Sequence, residues 1–183
     1  MIRSQALLEA MLEEFPKFKI GYKEKSRLQK WIHIALLLIT FGQQRKYLTG
    51  FYTVLFGVLW VPPSWDRLSD ADRYILLRHE RVHLRQRKRM GDLALAFVYL
   101  VPFFPIFLAY GRARIEWEAY CETIRATCEV YGIDRARALK PWLIHRFTGP
   151  DYGWMWPFPR VISRWFDEEI SKLEADRTLM NTR

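Results

Sequence analysis

His79-Glu80-Arg81-Val82-His83 spells H-E-x-x-H inside a long helical pattern, and its reading decides the fold. Positions four apart on an α-helix stand one above the other on the same face. His79 and His83 can therefore each offer a ring nitrogen to one metal ion, and zinc accepts that arrangement. Glu80 follows His79 by one residue, about 100° around the helix. That puts it beside the metal-facing stripe rather than in line with it, well placed to hold a water and poorly placed to be a ligand.

Working outward, the spacing predicts this helix over 70–90. Ser69 can cap its start, with Asp72 three residues on, and Gly91 stops it. Asp72, Ile75, His79, His83, Gln86 and Met90 share one face. Arg78, Arg81, Arg85, Lys88 and Arg89 lie largely opposite. The histidines thus turn inward and the arginines toward water. A basic helix face of this kind reads as a solvated face, so nucleic acid is not an expected partner; a nucleic-acid binder using that face stays as an alternative.

A second helix is predicted over 112–131, closed by Gly132. Glu116, Ala119, Tyr120, Thr123, Thr127 and Val130 share its inner face. Glu118 and Glu122 lie on the outer face, where Arg114 and Arg125 stand at ion-pair spacing. An inward carboxylate needs a partner, and a metal is the obvious one for Glu116. Zinc sites that do chemistry keep three protein ligands and one open position. His79, His83 and Glu116 make such a set.

The remaining chain fills in around these two helices. A helix is expected over 2–15, ended by Pro16. Short aromatic and β-favouring runs broken by Gly42, Gly50 and Gly57 predict a small antiparallel sheet over about 31–62, ending at Pro62-Pro63. Val58–Val61 directly precedes the metal helix and is nominated as the edge strand for peptide addition. Leu93–Tyr110 carries no charge. Pro102 and Pro105 favour a buried short helix and a turn there, with membrane contact through this segment as the alternative. C-terminal helices are expected over 134–177, with a break near Pro141. Between them Thr148–Pro159 is rich in Gly, Pro and aromatic residues; Trp154 and Trp156 are expected to pack against the metal helices.

Composition sets the outer bounds. The chain has 183 residues, half of them hydrophobic, with a net charge of +9. That is one domain's worth of sequence, read as a single domain over 1–183. Cys121 and Cys128 fall seven apart on one helix, roughly 10 Å between Cα atoms, too far for a disulfide. The first fifteen residues contain Glu9, Glu13 and Glu14 and do not read as a signal peptide. The expected location is cytoplasmic, with membrane association open through Leu93–Tyr110.

With H-E-R-V-H at 79–83 and E-W-E-A-Y at 116–120, the sequence resembles the gluzincin metallopeptidases. The second piece is similar to the E-x-x-A-D signature of the CAAX-prenyl endopeptidase family, whose first Glu binds zinc; Tyr120 stands where that family has Asp. The small size looks like the minigluzincins. The resemblance implies an α+β, zincin-like fold: a small antiparallel sheet packed on the H-E-x-x-H helix and a second, glutamate-bearing helix, with further C-terminal helices. It implies a zinc-dependent peptidase acting on a peptide or protein, with Glu80 as general base for a zinc-activated water. Tyr120, His145, Arg112 and Arg114 are candidates to steady the oxyanion, with the plainer reading preferred for each: Tyr120 as a packing residue or a hydrogen-bond partner of a zinc-bound histidine, and His145 as a structural histidine. A zincin-fold binding or toxin-like module and an integral-membrane zinc protease are the competing readings.

Overall fold

The computed structural model describes residues 3–39, 42, 44–100, 109–150 and 155–181. The protein is α+β, mostly helical, with one three-stranded mixed sheet. It divides into two compact units, Met1–Leu93 and Ala94–Arg183.

The first unit runs α1 (Arg3–Glu14), β1 (Lys19–Tyr22), α2 (Arg27–Ile39), the single turn α3 (Tyr47–Gly50), β2 (Thr53–Leu55), β3 (Val58–Val61) and α4 (Asp70–Met90). The order in the sheet is β1-β3-β2. β1 runs parallel to β3, Ile20 opposite Leu59, and β2 runs antiparallel to it, Val54 opposite Leu59. The expected antiparallel sheet over 31–62 is therefore corrected in two respects. Trp31 to Ile39 belongs to a helix, and the third strand comes from upstream, at Lys19–Tyr22. A parallel pair cannot be closed by a tight turn and needs a crossover. α2 and α3 form that crossover between β1 and β3. β3 is also the central strand, with a neighbour on each side, so Val58–Val61 cannot receive an added peptide strand.

The sheet is pinned at two close approaches. Phe56 and Gly57 both have positive φ, 51° and 79°, and make the two-residue connection between β2 and β3. A Cβ on Gly21 of β1 would stand 2.7 Å from the Trp60 ring of β3, so this position must be glycine for the indole to lie across it. Leu59 and Val61 point from β3 into a core shared with Leu7, Met11, Phe18, Trp65, Leu77 and Leu84. α1 lies along α4, held at both ends. The Asp70 carboxylate accepts from the first-turn backbone N–H groups of Arg3 and Ser4, at 3.1 and 3.0 Å. At the other end Glu14 takes Arg81 and Arg85, at 2.6 and 2.7 Å. The arginine face of α4 is thus not wholly solvated, for two of its members hold α1 in place.

The second unit carries α6 (Tyr110–Tyr131), α7 (Ile133–Arg137), α8 (Lys140–Thr148) and α9 (Pro159–Asn181). α5 (Asp92–Leu100) bridges the boundary in sequence. The breaks fall as the sequence predicts, at Gly132 and before Pro141, while α9 continues past the expected end to Asn181. Its core gathers Ala113, Trp117, Tyr120 and Ile124 of α6 with Leu143, Phe147, Ile162, Trp165 and Phe166. Met155 is buried among them, and Trp156 packs on Tyr110 at the start of α6, ring centroids 5.1 Å apart. Trp154 lies outside the described residues, as do Pro102 and Pro105.

Leu93–Tyr110 departs only in part from its expected burial, for Ala109 is buried. α5 is the short helix expected, yet Leu93 and Phe97 are exposed. Among the described residues no helix is long and apolar enough to cross a membrane.

Candidate metal centre

α4 begins and ends as its sequence dictates. The Ser69 hydroxyl accepts the Asp72 backbone N–H at 3.0 Å and donates to the Asp72 carboxylate at 2.6 Å. Gly91, at φ 81°, sends its N–H back to the Arg87 carbonyl at 2.8 Å. Between these caps the helical period puts Leu77, His79, Glu80, Val82, His83, Leu84 and Gln86 out of solvent.

The two histidine rings stand nearly perpendicular, 77° between planes, with Nε2 atoms 3.2 Å apart. Two nitrogens bound tetrahedrally at the usual zinc distance of ~2.05 Å are about 3.3 Å apart, so the spacing suits a shared ion. His83 Nδ1 lies 2.9 Å from Gln86 Oε1. With the amide oxygen on that side, Nδ1 carries the hydrogen and Nε2 keeps its lone pair, the tautomer a metal needs. Gln86 lies one turn on from His83, on the face the helical wheel turns inward, and orients the ring.

Glu116 is buried on the inner face of α6, while Glu118, two residues on, is exposed as predicted. The ligand atoms of His79, His83 and Glu116 all lie within 4.8 Å of one another: a buried group that could hold a metal ion. Two imidazoles and one carboxylate suit zinc, copper, iron or nickel better than calcium or magnesium, which favour all-oxygen sets.

Of the other candidates, Arg112 is half-buried near the start of α6, and Tyr120 lies one turn on from Glu116 on the same buried face. Tyr120 sits in the aromatic core, its ring 5.7 Å from Trp142 and 5.6 Å from Phe147. His145 is exposed on α8. Arg114 is exposed with its guanidinium over Trp165, 5.0 Å from the ring centroid. A surface groove along α8 and α9, lined by Ile144, Arg160, Ser163 and Asp167 among others, includes none of the site residues.

One buried cation escaped the sequence. Lys23, in the turn after β1, is 0% exposed. Its ammonium donates to the Tyr47 carbonyl at 3.0 Å and to Thr53 Oγ1 at 2.9 Å, and lies 3.6 Å from the centre of the Tyr47 ring. Burial pushes it down to about 7, against the pull of the Glu80 carboxylate. Tyr52 also feels Glu80: burial raises its phenol, and the carboxylate adds to the rise. The H-E-x-x-H glutamate thus lies in a buried, electrostatically coupled neighbourhood. Lys23 sits in the run Lys17-Phe-Lys-Ile-Gly-Tyr-Lys-Glu-Lys, where nothing marks one lysine from the next. Only the pairing of β1 to β3 would have shown that the chain turns inward there.

Compared with known proteins, the chain matches no family model, no curated protein and no solved structure.

Proposed function

We propose that the chain is a zinc-dependent metallopeptidase of gluzincin type that hydrolyses a peptide bond in a peptide or protein substrate. The buried group of His79, His83 and Glu116 carries this reading. Three such ligands leave a coordination position open, the mark of a site for chemistry rather than structure. Zinc held there would acidify a water molecule and polarise the scissile carbonyl. Glu80, buried beside His79 and about 100° around the helix from it, takes the proton of the attacking water and delivers it to the leaving amine. Gln86 keeps His83 in the ligating tautomer. The packing of Tyr120 against Trp142 and Phe147 supports a structural role for it over that of oxyanion donor. With β3 paired on both sides, β2, an outer strand of the sheet among the described residues, replaces it as the strand that would receive a substrate. A reducing, cytoplasmic location fits the two free cysteines, Cys121 and Cys128.

The test has two steps. Metal analysis of the purified protein should find one zinc per chain, lost or greatly weakened in His79→Ala and Glu116→Ala and kept in Glu118→Ala. A broad peptide-library digest then compares the parent with Glu80→Gln, which keeps shape and zinc but lacks the base. Cleavage should fall by on the order of 10²–10⁴-fold. Zinc retained in Glu116→Ala refutes the ligand set, and equal cleavage by parent and Glu80→Gln refutes the mechanism. A parent that holds zinc and cleaves nothing favours a binding module.

A further inference from the structure

α2 carries apolar residues on both of its sides, with Ile32, Leu36 and Leu37 half-buried on the inner one. The inner side also carries polar residues: Gln29 is fully enclosed, its Oε1 accepting the Tyr47 hydroxyl at 2.7 Å, and one turn on His33 stacks on the Tyr47 ring, centroids 6.3 Å apart and planes at 12°. These contacts fix which way the helix faces. The opposite arc is open to solvent and apolar. Trp31 is 70% exposed, Leu38 73%, Leu28 48% and Ile34 47%. At about 100° per residue they fall within one arc, with Ala35 and the first-turn Arg27 also inside it and Lys30 just beyond its edge. A soluble protein seldom shows so many large apolar side chains together on one helix face without a use for them.

The charge around that face is one-sided. Lys25, Arg27 and Lys30 stand at or just before the start of α2, and Arg45 and Lys46 follow it, all exposed. From residue 24 to 46 the only acid is Glu24. A helix of 13 residues, about 20 Å long, with a Trp- and Leu-bearing face and cations in its first turn and in the segments on either side of it, matches a surface that is apolar below and anionic above. An anionic lipid bilayer has that structure, and the +9 net charge adds long-range attraction to it.

We propose that α2 docks the protein peripherally on anionic membrane, lying in the interfacial plane with Leu28, Trp31, Ile34 and Leu38 among the acyl chains and Lys25, Arg27, Lys30, Arg45 and Lys46 at the headgroups. The proposal is independent of the metal-site chemistry and concerns a helix that lies on the bilayer rather than spans it.

Co-sedimentation of the full chain with vesicles tests it. The parent should pellet with vesicles of phosphatidylcholine containing one-third phosphatidylglycerol, weakly with pure phosphatidylcholine, and be released at ~1 M salt. Trp31→Ser/Leu38→Ser changes only exposed side chains and should weaken binding at least tenfold, roughly the burial of one large apolar side chain. Lys25→Glu/Lys30→Glu should weaken it at least tenfold as well, from roughly fivefold per cation removed. Leu12→Ser, at an exposed leucine of α1, is the control and should bind like the parent. Failure of the parent to bind either vesicle, or equal binding by parent and Trp31→Ser/Leu38→Ser, overturns the proposal. So does a parent dimer in solution that the same double substitution dissociates, which would assign the face to a second copy of the chain.

Discussion

Replacing Lys23 with methionine should change how stability depends on pH more than it changes stability itself. The Lys23 ammonium is enclosed, and burial lowers its pKa from 10.5 to about 7. In the unfolded chain it returns to the ordinary value. Between about 7 and 10.5 the unfolded state therefore binds a proton that the folded state does not, and stability rises with pH. This contribution is complete above 10.5 and is lost as pH falls through about 7, where the folded protein must enclose a charge. Each pH unit inside the window is worth roughly 1.4 kcal/mol, so from pH 7 to pH 9 the rise is on the order of 2–3 kcal/mol. Lys23→Met has no such slope. It instead leaves the Tyr47 carbonyl and Thr53 hydroxyl without their donor, a pH-independent loss of about 1–3 kcal/mol. The parent should thus gain on the variant steadily above pH 7. Urea denaturation of both proteins at pH 6, 7, 8 and 9 measures the gap. A chelator throughout removes any contribution from metal, and titration of the histidines cancels in the difference. Stability curves that run parallel from pH 6 to pH 9 would refute the argument, because they would mean that Lys23 is solvated or stays protonated in the folded state.

Two further outcomes follow from the same packing. Burial, with Glu169 adding to it, pushes the Cys121 thiol up to about 12, so iodoacetamide at pH 8 should label it on the order of 10³-fold more slowly than an ordinary thiol; mass spectrometry showing labelling at an ordinary rate would contradict that burial. Leu59→Ala removes a fully buried side chain from the central strand and should cost about 2–5 kcal/mol in urea denaturation, whereas a loss below ~1 kcal/mol would mean that β3 is not the centre of the sheet.

What was legible in the sequence was what is local. The caps at Ser69 and Gly91 and the four-residue spacing of the histidines act within one helix, and the structure has α4 where they put it. The wheel of the second helix likewise turned Glu116, Ala119, Tyr120 and Thr127 inward and Glu118 out. The sheet was only partly legible because it depends on partners far apart in the chain. Lys19-Ile20-Gly21-Tyr22 alternates weakly, contains a glycine and sits in a basic run, so nothing local marks it as a strand. Its place is decided by Trp60, which needs the bare Cα of Gly21 beneath its ring, and by a parallel pairing with residues almost forty positions later. Lys23 was hidden for the same reason, since its burial follows from that pairing.

The misreading of Trp31 to Ile39 as part of the sheet has a different cause. A crossover helix in a soluble protein is expected to show an apolar stripe inward and polar residues outward. α2 reverses this in part. On its inward side the Gln29 Oε1 accepts the Tyr47 hydroxyl and His33 stacks on the Tyr47 ring, though Gln29 Nε2 and His33 Nδ1 are buried without a hydrogen-bond partner among the described residues; Tyr47 in turn shares its carbonyl and its ring with Lys23. The polar residues that would mark the outer face of an ordinary helix are therefore spent on the inside, and Ile34 to Ile39 reads as a bare apolar run, as a buried strand would. The same reversal links the buried Lys23 neighbourhood to the exposed face. If the Gln29–Tyr47–Lys23 contacts orient α2, then Gln29→Leu should loosen the helix without touching Trp31 or Leu38. Vesicle binding should then weaken only as far as the helix is lost. Circular dichroism alongside co-sedimentation separates the cases: full helicity with undiminished binding would show that the outward face is not oriented by this anchor.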